Sequence, residues 1–215
     1  LDKNIVALSD KAIETVSKQL NEVVGYITTD AINAIDYNDG KYYIAGSGNR
    51  AITMGNWMCD ITRKIGDAQV AFVNRGGVRT AFYVENGRKN ITVANVYEIF
   101  PFGNKIYVYD INYRELLDLL NYAITTEGGK GLMSYMTGID CYFTDEGIDS
   151  LVDADNGTVI YTKGAFLDGW SEKKIKVAVG NYVGTSSRPT KTGYDNPLLA
   201  WNSTDKLIES AAVDN

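Results

Sequence analysis

The apolar run Val-Ala-Phe-Val at residues 70–73, together with the segment after it, constrains this chain more than any other stretch. A short apolar run bounded by turn residues predicts a central strand. Residues 74–79, Asn-Arg-Gly-Gly-Val-Arg, predict a loop whose backbone can come close to a ligand, because its paired glycines have no Cβ. Arg79 ends this loop, where its planar guanidinium group could bind a phosphate or a carboxylate through two hydrogen bonds.

A second loop, Pro101-Phe102-Gly103-Asn104, lies between residues 97–100 and 106–109. Its proline and glycine predict a turn at a strand end. Phe102 is then an aromatic side chain on a turn rather than inside a helix or strand. That position favours stacking against a ligand over packing in the core.

Hydrophobic periodicity predicts the remaining elements. Apolar residues at three- and four-residue spacing predict helices over residues 5–21, 52–65 and 113–123, and a start signal at residues 202–204 predicts a last helix over residues 205–212. Apolar or alternating runs predict strands over residues 23–30, 41–45, 106–110, 139–144, 158–162 and 175–179. Residues 82–92 are predicted to form a short strand with a turn at residues 85–87, followed by a connection to residues 93–97.

Composition narrows the class of protein. A chain of 215 residues with 45% apolar and 22% charged residues is expected to fold as one large domain, or as one domain with a short appended segment. With 21 basic and 27 acidic residues the net charge is −6, which disfavours binding to nucleic-acid polymers and to anionic membranes. No apolar run approaches the length of about 18 residues that a membrane span needs. A small anionic ligand remains compatible with a local group of basic residues.

Histidine is absent from the sequence. Histidine is the most common metal ligand and the usual general base. A two-metal phosphoesterase centre built on histidine ligands therefore cannot be housed in this chain.

Two further features have competing interpretations. Residues 46–51, Gly-Ser-Gly-Asn-Arg-Ala, match a dinucleotide-binding glycine pattern, but the next strand ends in Asn74 rather than in the acidic residue that such a fold requires, which favours a simple loop before a helix. Cys59 and Cys141 are expected to be buried free thiols, with a single disulfide as the alternative.

These motifs, in this order and spacing, resemble the C-terminal domain of the 5′-nucleotidase family, which also includes UDP-sugar hydrolases and 2′,3′-cyclic phosphodiesterases. The matching features are the strand with its glycine loop, the turn at residues 87–92, the Val-Tyr-Glu run at residues 96–98 and the Pro-Phe-Gly-Asn loop. The resemblance is dense over residues 54–120 and thinner up to residue 212.

The resemblance implies an α+β fold, a mixed β-sheet flanked by helices. Residues 1–22 would form a linker helix to an N-terminal catalytic domain outside this sequence, and residues 23–215 the substrate-binding domain. That catalytic domain would carry the divalent metals and the catalytic dyad, so no cofactor is expected here. Family members suggest an extracellular, periplasmic or cell-surface location.

The resemblance also implies a nucleotide site. Phe102 and Tyr182 would sandwich the base, and the other matching positions would contact the phosphate, the ribose or the base: Asn74, Gly76, Gly77, Arg79, Gly103 and Asn104. Further basic residues that could take part are Arg50, Arg75 and Arg188.

The sequence departs from the family pattern at three places. Gly48 and Ala51 stand where the family has an arginine and a glutamate, and Arg75 replaces the first glycine of the loop. Residues 186–188, Ser-Ser-Arg, replace a Gly-Gly-Asp motif whose acid holds the ribose.

We therefore expect a nucleotide-binding and specificity domain of a metallophosphoesterase that hydrolyses nucleotide phosphoesters, non-catalytic without its N-terminal domain. The competing hypothesis is an interaction module without a hydrolase role that recognises another ligand or partner through Arg75, Arg188 and the long final loop.

Overall fold

The computed structural model describes residues 3–30, 42–44, 54–125, 135–144, 147–186 and 195–211. The α-helices in these residues are α1 (Lys3–Leu20), α2 (Met54–Ile65), α3 (Val93–Ile99), α4 (Tyr113–Thr125), α5 (Asn181–Thr185) and α6 (Pro197–Trp201). The strands are β1 (Val23–Ile27), β2 (Tyr42–Ile44), β3 (Val70–Val73), β4 (Lys89–Thr92), β5 (Ile106–Asn112), β6 (Tyr135–Thr137), β7 (Ile139–Thr144), β8 (Gly147–Asp153), β9 (Val159–Thr162), β10 (Ala165–Phe166), β11 (Lys174–Gly180) and β12 (Leu207–Ala211). None of the helices in these ranges is long and apolar enough to cross a membrane.

The central sheet has the strand order β12-β5-β11-β3-β6. β3 runs parallel to β11, and the other neighbouring strands are antiparallel. Both faces of β3 are buried: Val70 and Phe72 pack in the cluster that includes α4, whereas Ala71 and Val73 pack in the cluster that includes α2. This two-sided burial explains why the strand is apolar at every position. The predicted α+β fold, a mixed sheet flanked by helices, is confirmed.

A second sheet has the order β10-β9-β8-β7-β2, and β1 pairs with β4 in a separate two-stranded sheet. Gly138 is the only residue between β6 of the central sheet and β7 of the second sheet. Its φ is +93°, and a Cβ atom at this position would lie 1.8 Å from the carbonyl oxygen of Gln69. The chain can therefore pass from one sheet to the other here only through glycine.

Residues 93–97, to which the sequence analysis assigned neither a helix nor a strand, belong to helix α3. The helix begins with a capping box, in which the Thr92 side chain accepts from the Asn95 N–H and the Asn95 side chain accepts from the Thr92 N–H. These two hydrogen bonds satisfy backbone donors that would otherwise lack a partner at the helix start. The short apolar sequence alone did not reveal this cap.

The helix predicted over residues 205–212 is also wrong, because Leu207–Ala211 forms strand β12. The strand pairs antiparallel with β5 along the edge of the central sheet. A five-residue segment has little helix stability of its own, whereas the open edge of β5 offers it a row of backbone hydrogen-bond partners. The distant pairing therefore decides its structure.

Cys59 and Cys141 are free and buried, which confirms the expectation of unpaired thiols. They lie in different hydrophobic clusters, Cys59 in the one that includes α2 and Cys141 in the one that includes α4. Burial raises the pKa of both thiols above the ordinary cysteine value. Both cysteines are consequently inert packing residues at neutral pH.

Glu115 joins helix α4 to the end of the chain. Its carboxylate accepts from the Asn112 N–H at 2.9 Å and from the Lys206 ammonium group, just before β12. Although partial burial alone would raise the pKa of Glu115, the hydrogen bonds from Lys206 and Asn112 lower it overall. The ionised carboxylate thus stabilises both the start of α4 and the approach to β12.

We expect Gly138→Ala to destabilise the protein strongly, by about 4 kcal/mol or more, because a backbone clash is added to a strained φ. Gly87→Ala is the matched control, since Gly87 also has a positive φ of +76° but nothing within 4 Å of the added Cβ. Urea denaturation of both variants measures the difference. Equal losses of unfolding free energy in the two variants would contradict this account of the sheet crossing.

We expect Glu115→Gln to cost about 1–2 kcal/mol of unfolding free energy at pH 7. Because the folded-state pKa of Glu115 lies below its unfolded value, its contribution is present at neutral pH and is lost as the pH falls through the lowered pKa. The deficit should shrink on acidification in denaturation curves recorded from pH 7 to 3. Glu172→Gln, which breaks an exposed ion pair with Arg114, should show almost no deficit at any pH.

Candidate functional site

The ends of three neighbouring strands meet on one side of the central sheet, which we call the site edge: β3 and β11 end there, and β5 begins there. β3 and β11 are parallel, with Phe72 opposite Val179, so both strands end on this side. β5 is antiparallel to β11, with Ile106 opposite Gly180, so β5 begins on the same side. The sheet topology therefore brings together the loop after β3, the loop before β5 and the start of α5.

Two hydrogen bonds hold the second and third of these segments together. The Lys105 N–H donates to the Asn181 side-chain oxygen at 3.1 Å, and the Asn181 N–H donates to the Lys105 carbonyl at 2.8 Å. Within the loop, the Asn104 N–H donates to the Phe102 carbonyl at 2.8 Å. Phe102 is thereby held at a defined place beside α5. Sequence reasoning did not identify Asn181, although it lies next to Tyr182.

The loop after β3 forms a short 3-10 turn over Arg75–Gly77, closed by a hydrogen bond from the Gly77 N–H to the Asn74 carbonyl at 3.0 Å. A Cβ atom at Gly77 would lie 2.9 Å from the Asn74 side-chain oxygen, whereas one at Gly76 would make only ordinary contact. An alanine at position 77 would therefore have to displace the Asn74 side chain, whereas one at position 76 would not. The Arg75 side chain is exposed and leaves the turn intact.

Arg79 lies beside Phe102. Its side chain donates to the Gly76 carbonyl at 3.1 Å, and its guanidinium carbon is 5.8 Å from the centre of the Phe102 ring. Its backbone N–H donates to the Ile99 carbonyl at 3.0 Å, which ties the loop to the end of α3. A cation and an exposed aromatic ring are thus adjacent at this place.

The two rings predicted to sandwich a base are both accessible, since Phe102 is 50% exposed and Tyr182 43% exposed. Tyr182 lies on helix α5, which is anchored from beneath. The Asn196 side chain donates to the carbonyl of Val183 at 2.9 Å, and the Asn202 side chain donates to that of Gly184 at 2.9 Å. These bonds fix the position of the helix and hence of the ring.

A cavity of about 350 Å³ opens next to Phe102. Asn74, Gly77, Phe102 and Asn104 of the predicted site line it, whereas Arg79 and Tyr182 are not among its lining residues. Its other walls come mainly from α2 and α3, which the sequence analysis did not anticipate. The periodic signal was present, since Trp57, Ile61 and Ile65 recur every four residues along α2. The residues of the two helices and of the position directly after α3 that line the cavity are Trp57, Met58, Ile61, Thr62, Ile65, Val93, Val96, Tyr97 and Phe100.

The remaining predicted residues fall into two groups. Gly103 is exposed in its loop beside Phe102. Arg50 and Arg188 lie outside the described residues.

Within the described ranges no group of three or more acidic or cysteine side chains is arranged to hold a metal ion.

Comparisons with known proteins identify the family of this chain. Residues 23–157, more than half of the chain, match the family described as 5′-nucleotidase, C-terminal domain. The trifunctional nucleotide phosphoesterase protein YfkN of Bacillus subtilis is 25% identical over 142 residues, which cover 61% of this chain and 9% of that protein. The cell wall protein Lmo0130 of Listeria monocytogenes is 24% identical over 193 residues, which cover 84% of this chain and 23% of that protein.

Among solved structures, the NAD nucleotidase NadN of Haemophilus influenzae matches with a TM-score of 0.53 and 21% identity, over 95% of this chain and 35% of that chain. At this identity the similarity concerns the fold alone. The chain spans less than a quarter of the two curated relatives described above. By its family match and its fold, the chain belongs to the 5′-nucleotidase C-terminal domain family.

Proposed function

We propose that this domain binds the nucleotide substrate of a 5′-nucleotidase-type metallophosphoesterase and sets its specificity. The observation that supports this function is the meeting of Phe102, Asn74, Arg79 and Tyr182 at one edge of the central sheet. Aromatic rings, an amide and a guanidinium group are the chemistry that a base, a ribose and a phosphate call for.

The two rings supply affinity without strict base choice. Stacking on an aromatic side chain contributes about 1–3 kcal/mol per base, and every base has a face that can stack. The hydroxyl group of Tyr182 adds a hydrogen-bonding group at the edge of the ring. The Asn74 and Asn104 side chains line the cavity beside Phe102, where they can bond to a base edge or a ribose hydroxyl.

Binding of the nucleotide phosphate is assigned to the arginines. The chain carries a net charge of −6, so binding of a phosphate depends on local cations rather than on the overall field. Arg79 is beside Phe102, and Arg75 is exposed in the same loop. A guanidinium group that binds two phosphate oxygens at once would set the distance between the stacked base and the phosphate.

Hydrolysis itself is assigned to an N-terminal metallophosphoesterase domain in cis, which would carry the divalent metals. In the part of the chain that the structure describes, no three acidic or cysteine side chains are grouped where they could hold a metal ion. In this division of labour the present domain binds and orients the nucleotide, and the partner domain cleaves the phosphoester. An extracellular, periplasmic or cell-surface location is proposed as well, because one relative is a cell wall protein.

Titration calorimetry of the 215-residue chain with AMP, adenosine and UDP-glucose tests the binding function. We expect Phe102→Ala to weaken AMP binding by about 1–3 kcal/mol, because one stacking face is lost. The matched control is Tyr142→Ala, which removes an exposed ring from β7 of the second sheet. If the folded chain binds none of these ligands, or if both variants weaken binding equally, the proposal fails and an interaction module becomes the better description.

Replacement of Arg79 separates phosphate recognition from base recognition. We expect Arg79→Ala to weaken AMP binding about tenfold or more, since a charge-assisted hydrogen bond is lost, and to leave adenosine binding nearly unchanged. Arg114→Ala, at an exposed arginine of α4, is the control and should change neither affinity. An equal loss of AMP and adenosine affinity in Arg79→Ala would assign Arg79 to positioning of Phe102 instead.

A further inference from the structure

The cavity beside Phe102 is lined by uncharged side chains. Among the described residues around it, the polar groups are the side chains of Asn74, Asn104 and Thr62, the Tyr97 hydroxyl and the Trp57 indole N–H, and none belongs to an acidic or basic side chain. The Thr62 hydroxyl already donates to the Met58 carbonyl at 2.8 Å. The two asparagines both belong to loops at the ends of the strands, so the part of the cavity formed by the helices is predominantly apolar.

Several of the apolar side chains in the cavity wall are also unusually exposed. Val24 is 56% exposed, Ile65 46% and Tyr97 45%, and each comes from a different element, β1, α2 and α3. Single exposed apolar residues are ordinary on a protein surface, but a group that surrounds one cavity marks a place where an apolar group binds. Such a cavity gains nothing from bound water, because its walls offer few hydrogen-bond partners.

The cavity and Arg79 favour different chemical groups on a ligand. The Arg79 guanidinium carbon lies 5.8 Å from the centre of the Phe102 ring, and Arg79 is not among the residues that line the cavity. An anionic group is therefore favoured beside Arg79, and an uncharged apolar group is favoured inside the cavity. Phe102 itself lines the cavity, so a base stacked on its ring would be next to both places.

We propose that this cavity accepts an apolar substituent carried by the nucleotide base, so that the site prefers base-substituted nucleotides to unsubstituted ones. The inference rests on the proposed nucleotide-binding function. A volume of about 350 Å³ lies in the lower part of the range of about 300–1,000 Å³ that small-molecule sites occupy. It offers room for an aromatic ring or a branched alkyl group in addition to the contacts made by the base.

Calorimetric titration with AMP and with N6-benzyl-AMP tests the inference. The benzyl ring is apolar and uncharged, and its transfer into the cavity should tighten binding by about 10–100-fold relative to AMP. The test variants are Ile65→Trp and Val24→Trp, which fill the cavity from different elements at half-exposed positions, where a larger side chain is tolerated without repacking of the core. The control is Val159→Trp, at an exposed position on β9 of the second sheet.

The expected result is that both cavity variants abolish the preference for N6-benzyl-AMP over AMP, whereas the control keeps this preference. Equal affinities of the unmodified chain for the two ligands would overturn the inference and leave the proposed nucleotide binding in place. A preference for N6-benzyl-AMP that survives in both cavity variants would show that the benzyl group binds outside the cavity and would overturn the inference. Absence of binding for AMP as well as for N6-benzyl-AMP would overturn the proposed function together with the inference.

Discussion

The parallel pairing of β3 with β11 is the constraint on which the rest of the candidate site depends. Parallel strands end on the same side of a sheet, so this pairing places Asn74 and Tyr182, about a hundred residues apart in sequence, at one edge. The antiparallel position of β5 then adds Phe102 and Asn104 to that edge. Without this arrangement of three strands, the same loop sequences would be unrelated features of the surface.

Local sequence signals predicted the elements whose structure is decided locally. The strand at residues 70–73 has the predicted bounds, and Phe102 lies on an exposed turn as its proline and glycine indicate. The failures have a physical cause in common. β12 depends on an open edge of β5 that lies about a hundred residues away along the chain, and the cavity depends on how α2 and α3 face one another. Periodicity identifies an apolar helix face, but it does not show which part of that face stays exposed after the helix has packed.

The departures from the family sequence become interpretable once the loop after β3 is seen in three dimensions. A Cβ atom at Gly77 would press on the side-chain oxygen of Asn74, whereas the side chain at position 75 is exposed. An arginine can therefore replace a glycine at position 75 without loss of the turn. The substitution adds a cation beside Arg79, so it changes the charge of the site rather than its shape.

The rigidity of the site comes from polar anchors beneath it rather than from the residues that would contact a ligand. Asn181 fixes the loop of Phe102 from the side, and Asn196 and Asn202 hold the carbonyls of α5 from below. Because these bonds join backbone to side chain within the domain, the exposed rings and arginines contribute little to stability. Their identities are free to change with the ligand. The segment at residues 186–188 that departs from the family begins in sequence directly after this anchored helix, so the departure leaves the residues that anchor Tyr182 unchanged.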